Sequence, residues 1–414
     1  MTDMAGAVPV IAVDKVQAVA LAVCTYYFGV WLKGKVGVLS RYSIPSPVVG
    51  GMSFAIVVSF LEYFNIVKVQ IDSTLQTVLM LGFFTTIGLM ASLRVVKDGG
   101  RLLLGFLLAV TVLVFLQNGM GMAIAEAMGF DKHYGILAGS VSMMGGLGTA
   151  AAFGPYFEET YGITGGTAVA VTAATFGMVA ALLIGGPFGE WCIRRYKVKT
   201  PDEVQQPEPE LHLPDDMDTD ITEQHASAKP NFTNEIMRAV SVTALAMSLG
   251  TIVSNYLGHY ITLPAYIGAM IVATVIRNVG DFSGMYKVEG KGLNAVADIT
   301  LVLFVTMAIN NLKLHELVHL ALPLVVILAC QTILMLIYAW TVLFTAFGRS
   351  YDAVMLSVGG IGFSMGATAN GLANMQAISE KYGSSPRAWL IVSVVGAFLI
   401  DLINAVVITW FGTL

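Results

Sequence analysis

Ten stretches of this chain are apolar over about the length a helix needs to cross a bilayer core. They lie at 16–32, 44–63, 74–93, 102–124, 166–188, 236–258, 261–277, 296–312, 320–346 and 388–411. A chain of 414 residues cannot bury so many of them in a water-soluble core. Hydrocarbon offers no water to backbone N–H and C=O groups, so each stretch has to be a helix. Composition agrees, with 56% hydrophobic and 12% charged residues and a mean hydropathy of +0.76. The expected fold class is an all-α polytopic membrane protein with a lipid bilayer as its main partner. Cys24, Cys192 and Cys330 suggest neither a disulfide framework nor a metal-ligand spacing. Met1 to Val13 carries no basic residue, so no cleaved signal peptide is expected.

Lysine and arginine set the orientation. With the N-terminus outside, 18 of them fall on the cytoplasmic side, and Lys15, Lys68, Lys132 and Lys313 fall outside. That asymmetry predicts both termini periplasmic and the central loop cytoplasmic.

The chain also repeats itself about 220 residues apart. Met144-Gly145-Gly146-Leu147-Gly148-Thr149-Ala150 is answered by Gly362-Phe363-Ser364-Met365-Gly366-Ala367-Thr368-Ala369-Asn370. Glu159-Thr160-Tyr161-Gly162 is answered by Glu380-Lys381-Tyr382-Gly383, Phe83-Phe84-Thr85 by Phe304-Val305-Thr306, and Pro45 by Pro264. Five spans per repeat is an odd number, so the second repeat is expected upside down relative to the first. The glycine-rich stretches near 135–155 and 352–376 then form re-entrant hairpins that meet from opposite faces. Paired, glycine-interrupted apolar segments at matching places are the best sequence pointer to a secondary transporter's binding site. Two inverted membrane repeats, 1–199 and 232–414, are expected. Between them, 200–231 holds Pro201, Pro207, Pro209, Pro214 and Pro230 and nine acidic residues, and reads as a disordered cytoplasmic linker.

Glycine allows close backbone approach and positive φ, and a broken helix offers free N–H groups to a carboxylate. Gly145, Gly146, Gly148, Thr149, Ser364, Gly366, Thr368 and Asn370 are therefore the substrate-binding candidates at the two tips, with Thr85 and Thr86 at a matched place in span three. A carboxylate inside a span is costly unless paired or bound to a cation, which marks Asp401. Asn404 lies on the same helical face, and Asn310 ends span eight. These three are candidate ligands for Na+; for Asp401 and Asn404 a polar clamp between helices is an equal reading. His133, His315 and His319 read as solvated loop-edge residues. No nucleotide loop, His-Glu-x-x-His motif or nucleophile–base pair occurs, so an enzyme is not expected.

Over almost its whole length the chain resembles the sodium/glutamate symporters of bacterial inner membranes. The resemblance is carried by Tyr42-Ser43-Ile44-Pro45-Ser46-Pro47-Val48-Val49-Gly50-Gly51, Phe84-Thr85-Thr86-Ile87-Gly88-Leu89, Leu137-Ala138-Gly139-Ser140, Ala174-Thr175-Phe176-Gly177 and Ile184-Gly185-Gly186-Pro187. It continues in Ala373-Asn374-Met375-Gln376-Ala377-Ile378 and Val395-Gly396-Ala397-Phe398-Leu399-Ile400-Asp401. It implies Na+-coupled uptake of L-glutamate by a homodimer, with a scaffold part and an elevator-like moving part in each protomer. The chain departs from the family at both tips. Met144, Leu147 and Ala150 replace a serine, a histidine and a glycine, and Ala367-Thr368-Ala369-Asn370-Gly371 replaces Ala-Thr-Pro-Thr-Ala. A citrate-like or other organic anion is thus the alternative cargo.

Overall fold

The computed structural model describes residues 8–37, 39, 44–94, 100–201, 232–257, 264–284, 286, 290–314 and 319–414. The expected linker beyond Pro201, His259 and His315 lie outside them. Among the described residues nine helices are long and apolar enough to cross a membrane, and a tenth apolar helix, Thr74–Met90, is shorter. That tenth helix stops short of the expected 93 because a neighbour caps it. The Leu93 N–H donates to Asn278 Oδ1 at 2.8 Å, and Asn278 Nδ2 donates to the Ala91 carbonyl at 2.9 Å.

One element departs from the all-α expectation. Strand β1 (Val10–Val13) pairs in parallel with β2 (Lys68–Ile71), with Val10 opposite Lys68. Parallel strands need a long crossover. Here it is α1 (Lys15–Lys35) and α2 (Ser46–Tyr63), which run out and back. Asp14 starts α1 with a capping box, its carboxylate accepting from the Gln17 N–H while the Gln17 side chain accepts from the Asp14 N–H.

The helices fall into two packing groups. The first contains α1, α2 and α3 (Thr74–Met90) with α8 (Phe232–Leu257), α9 (Ala265–Ser283) and α10 (Lys291–Asn310). Its two halves use the same devices. Gly29 and Gly50 bring the α1 and α2 backbones into contact, and Gly250 and Gly268 do so for α8 and α9. Pro45 precedes α2 and Pro264 precedes α9, with φ of −61° and −55°. The repeated Phe83 and Phe304 meet each other, ring centroids 5.5 Å apart.

The second group contains α4 (Gly100–Ala127), α5 (Lys132–Ile136), α6 (Gly146–Tyr161), α7 (Gly166–Tyr196) and α11 (Ala321–Tyr338). It is completed by α12 (Tyr351–Ser364), α13 (Thr368–Tyr382), α14 (Pro386–Val394) and α15 (Ile400–Gly412). π-helical turns extend α5 through Val141, extend α11 through Ala346, and join α14 to α15. The Glu-x-Tyr-Gly repeat has a plain structural reason. Its glycines, Gly162 and Gly383, end α6 and α13 at φ of +69° and +93°, which costs glycine little.

Apolar contacts cross between the groups. Phe83 and Leu301 face Gly148, and the Tyr266 ring lies 5.4 Å from Phe153.

Candidate functional site

Helix α7 is the ruler along which the site is laid out. At its start, the Thr167 N–H donates to Glu158 Oε1 of α6 at 2.7 Å. At its middle, Gly177 lies against Met143 and the Met365 carbonyl, so both glycine-rich breaks reach it. Near its end, Glu190 accepts from Lys381 of α13 at 2.6 Å. The broken pairs α5–α6 and α12–α13 therefore approach from opposite ends of α7 and meet halfway.

The breaks themselves are short. The first spans 144–145 just before α6, and the second spans 365–367 between α12 and α13. Gly146, at φ +60°, lies against the Gly366 carbonyl. Neither Gly145 nor Ala367 supplies a side-chain cap to the helix that follows. Two helix N-termini thus keep unpaired N–H groups and the positive ends of their dipoles at the meeting point.

Buried amides hold both breaks. The Ser140 N–H donates to Asn118 Oδ1 at 2.9 Å, and its carbonyl accepts from Asn404 Nδ2 at 3.1 Å. Gln117 Nε2 donates to the Ser364 carbonyl at 2.9 Å, and Asn370 Nδ2 donates to the Met178 carbonyl at 2.9 Å. The bonds to the Ser140 N–H and to the Ser364 carbonyl satisfy backbone groups beside the breaks. Thr368 Oγ1 donates to the Gly396 carbonyl at 2.5 Å, bringing the π turn before α15 to the second tip.

These tips form one wall of a cavity of about 490 Å³. Gly145, Gly146, Gly148, Thr149, Gly366, Thr368 and Asp401 all line it. The opposite wall comes from the first packing group: Pro45, Pro47, Phe83, Ile87 and, on α10, Asp298. The other expected site residues lie elsewhere. Ser364 is fully buried behind the second tip, and Asn370 and Asn404 spend their amide N–H groups on carbonyls. Thr85 and Thr86 turn their hydroxyls into their own helix, onto the Leu81 and Phe83 carbonyls. Asn310 donates to Thr25 Oγ1 at 3.1 Å, within the first packing group.

Sequence reasoning missed Asp298. It sits inside the expected span 296–312, and the rule that singled out Asp401 applies to it equally. The solvated reading of His133 is corrected. Its ring is buried and stacked on Tyr161 at 4.1 Å, with Nδ1 2.5 Å from Asp131 Oδ1 and Nε2 3.2 Å from the Gly412 carbonyl.

Electrostatically the cavity is distinctive. Asp298 and Asp401 face it, no lysine, arginine or histidine among the described residues lines it, and two helix N-termini point at it. Such a space suits a solute with a carboxylate at one end and a cationic group at the other, or an anion accompanied by cations. A second cavity, of about 410 Å³, lies by Ser73, Gln76, Glu158, Thr167, Asn311 and Lys313, at the end of α7 where α6 docks.

The sequence profile of the sodium/glutamate symporter matches residues 11–384. The chain belongs to this family. It is 37% identical over 400 residues to the sodium/glutamate symporters of Escherichia coli (strain K12) and Shigella flexneri, covering 95% of this chain and 96% of theirs. With the sodium/glutamate symporter of Haemophilus influenzae it shares 35% identity over 395 residues, covering 94% and 95%. These relatives are named as symporters, which are transporters and not enzymes. With its apolar helices, this member of the family is a multi-pass membrane protein.

Proposed function

We propose that the chain carries L-glutamate, or a close anionic amino acid, into the cell together with Na+ by alternating access. The observation that carries this reading is the single cavity where two broken helix pairs converge, lined by Asp401, Asp298 and two uncapped helix N-termini. The substrate carboxylates take the N–H groups of Gly146, Gly148 and Thr368, with Thr149 beside them at the first tip. Gly145, Gly366, Ser364 and Asn370 shape the tips, and Thr85 and Thr86 stiffen the facing wall. Na+ is held on hard oxygen ligands, Asp401 first, with Asn404 and Asn310 as further candidates.

In this reading the ten apolar helices are transmembrane, the broken pairs are re-entrant hairpins, and the two five-span repeats are inverted. The N-terminus is periplasmic. Pro45, Ile87 and Asp298, which line the cavity, then lie toward the cytoplasm. The second packing group moves against the first, elevator fashion, and the apolar contacts between the groups support such sliding. The first group is the scaffold and contributes the homodimer interface, and 200–231 tethers the halves in the cytoplasm.

The citrate-like alternative rests on Met144 and Leu147, which line the cavity where the family resemblance calls for polar residues. Two carboxylates, with no basic side chain among the described lining residues, make the space unwelcoming to a polyanion, which favours an amino acid with its own ammonium group. The test is uptake of labelled L-glutamate into proteoliposomes with and without an inward Na+ gradient. Accumulation that requires Na+ and ignores an imposed pH gradient supports the reading. No uptake of glutamate, together with Na+-dependent uptake of labelled citrate, transfers it to the alternative. More than one Na+ per glutamate makes uptake voltage-driven, at about 2.3 kcal/mol per charge for each 100 mV.

A further inference from the structure

The second cavity, of about 410 Å³, lies between the two packing groups and draws its walls from both. From the first group come Gln76 of α3 and, at the end of α10, Asn311 and Lys313. From the second come Glu158 of α6 and, at the start of α7, Gly165 and Thr167. Its volume falls in the range of small-molecule sites, about 300–1,000 Å³.

The lining carries one charge of each sign, one from each group. Lys313 is exposed and forms no ion pair among the described residues. Glu158 accepts from the Thr167 N–H at 2.7 Å, which holds its carboxylate at the wall, and a carboxylate has room for further donors. Asn311 Nδ2 donates to Gln76 Oε1 over a long 3.4 Å, which leaves the Gln76 NH2 group and the Asn311 carbonyl oxygen to serve a guest. The Thr167 hydroxyl, on a residue only 7% exposed, has no hydrogen-bond partner. A buried hydroxyl left bare is costly. Helix α7 also opens at this wall, and Gly165 gives it no side-chain cap, so the positive end of its dipole is uncovered there. The Asp401 cavity has two carboxylates; here the charges balance. A guest that matches carries a carboxylate and an ammonium and has no net charge.

We propose that this cavity binds a free amino acid of zero net charge with a polar side chain, and that the bound molecule holds the two packing groups together. Its carboxylate lies on Lys313, its ammonium on Glu158, and the two amides serve its side chain. With the N-terminus periplasmic, Lys313 lies outside, so the guest arrives from the periplasm. A ligand bonded to both groups favours their present placement and shifts the population toward it. Sliding has to break its bonds to one wall, so an external amino acid slows the carrier without occupying the solute cavity. This braking role rests on the transport reading above; the binding site does not.

The test begins with equilibrium dialysis of labelled L-glutamine against the purified full-length protein in Na+-free buffer. Wild type is expected to bind, and Lys313→Gln and Glu158→Gln are each expected to weaken binding by about tenfold or more, the loss of one charge-assisted contact. Glu158→Gln keeps an oxygen for the Thr167 N–H; should it still fail to fold, Lys313→Gln and Lys313→Glu decide the matter, since Lys313 is exposed. No binding at millimolar glutamine, or unchanged affinity in folded Lys313→Gln protein, overturns the site. In proteoliposomes, external L-glutamine should lower Vmax for labelled L-glutamate with KM unchanged, and Lys313→Gln should lift that inhibition. A raised KM with Vmax unmoved puts glutamine in the solute cavity and overturns the brake, as does uptake that glutamine leaves untouched. Wild type that binds glutamine through Lys313 yet shows no Na+-dependent glutamate uptake upholds the site and defeats the symport reading.

Discussion

The Gly366 carbonyl lies so close to Gly146 that a Cβ on Gly146 would overlap it, and Gly146 also holds φ at +60°. The two glycine-rich tips thus meet here backbone to backbone. Gly162 has nearly the same φ, +69°, with open space around it. The pair separates strain from crowding. Gly162→Ala is expected to cost about 1 kcal/mol, the price of a left-handed alanine, and to leave uptake intact. Gly146→Ala carries that strain and the clash as well, and should abolish uptake in protein that still reaches the membrane. Uptake assays normalised to surface-extracted protein check both.

Asp401 and Asp298 share a cavity from opposite walls. Asp401→Asn is expected to abolish Na+-dependent uptake and the heat protection Na+ confers. Asp298→Asn should raise KM for the solute several-fold while sparing Na+ protection, because Asp298 belongs to the facing wall. Parallel uptake and thermal-melt measurements on the two variants distinguish these roles.

The two packing groups meet through Gly148, Phe83 and Leu301. In a background lacking Cys24, Cys192 and Cys330, Gly148→Cys with Leu301→Cys and a short bifunctional maleimide should stop uptake, because the link spans both groups. Phe83→Cys with Phe304→Cys links two helices of one group and should leave uptake running. Transport through the first cross-linked pair would rule out relative movement of the groups.

Asp72 leads into α3, and hydrogen bonds from the Thr74 hydroxyl, then from the Thr74 N–H, hold its carboxyl below the ordinary 3.8. A depressed folded-state pKa contributes stability that is present above the unfolded value and is lost as pH falls through the folded one. Protection of the Thr74 amide from hydrogen exchange should therefore be constant at neutral pH and decline only in strong acid. Asp72→Asn should remove that acid dependence.

Much of this protein was legible as sequence. Apolar length predicts the spanning helices because hydrocarbon leaves the backbone no other partner. The paired glycine stretches are visible because a break in a buried helix demands residues without a Cβ. The Glu-x-Tyr-Gly echo turns out to be the left-handed stop of α6 and α13. The β1–β2 pair was not legible, since four-residue strands separated by two helices carry no periodic signal. Asp298 was legible in principle, by the same cost argument that marked Asp401.

The sequence alone determined that the chain is helical and spans a membrane, because these follow from local composition and from the cost of bare backbone groups. Only the tertiary structure decided which polar groups meet. Thr85, Asn310 and Asn370 have the right chemistry for a site, yet the Thr85 hydroxyl is spent on its own helix and the Asn310 and Asn370 amide N–H groups on neighbouring ones. Gln117, Gln331 and Ser364 lie far apart along the chain and come together only because α4, α11 and α12 pack side by side. A side chain's chemistry is local, but whether it stays free for a ligand depends on which neighbour reaches it first, and that is settled by packing.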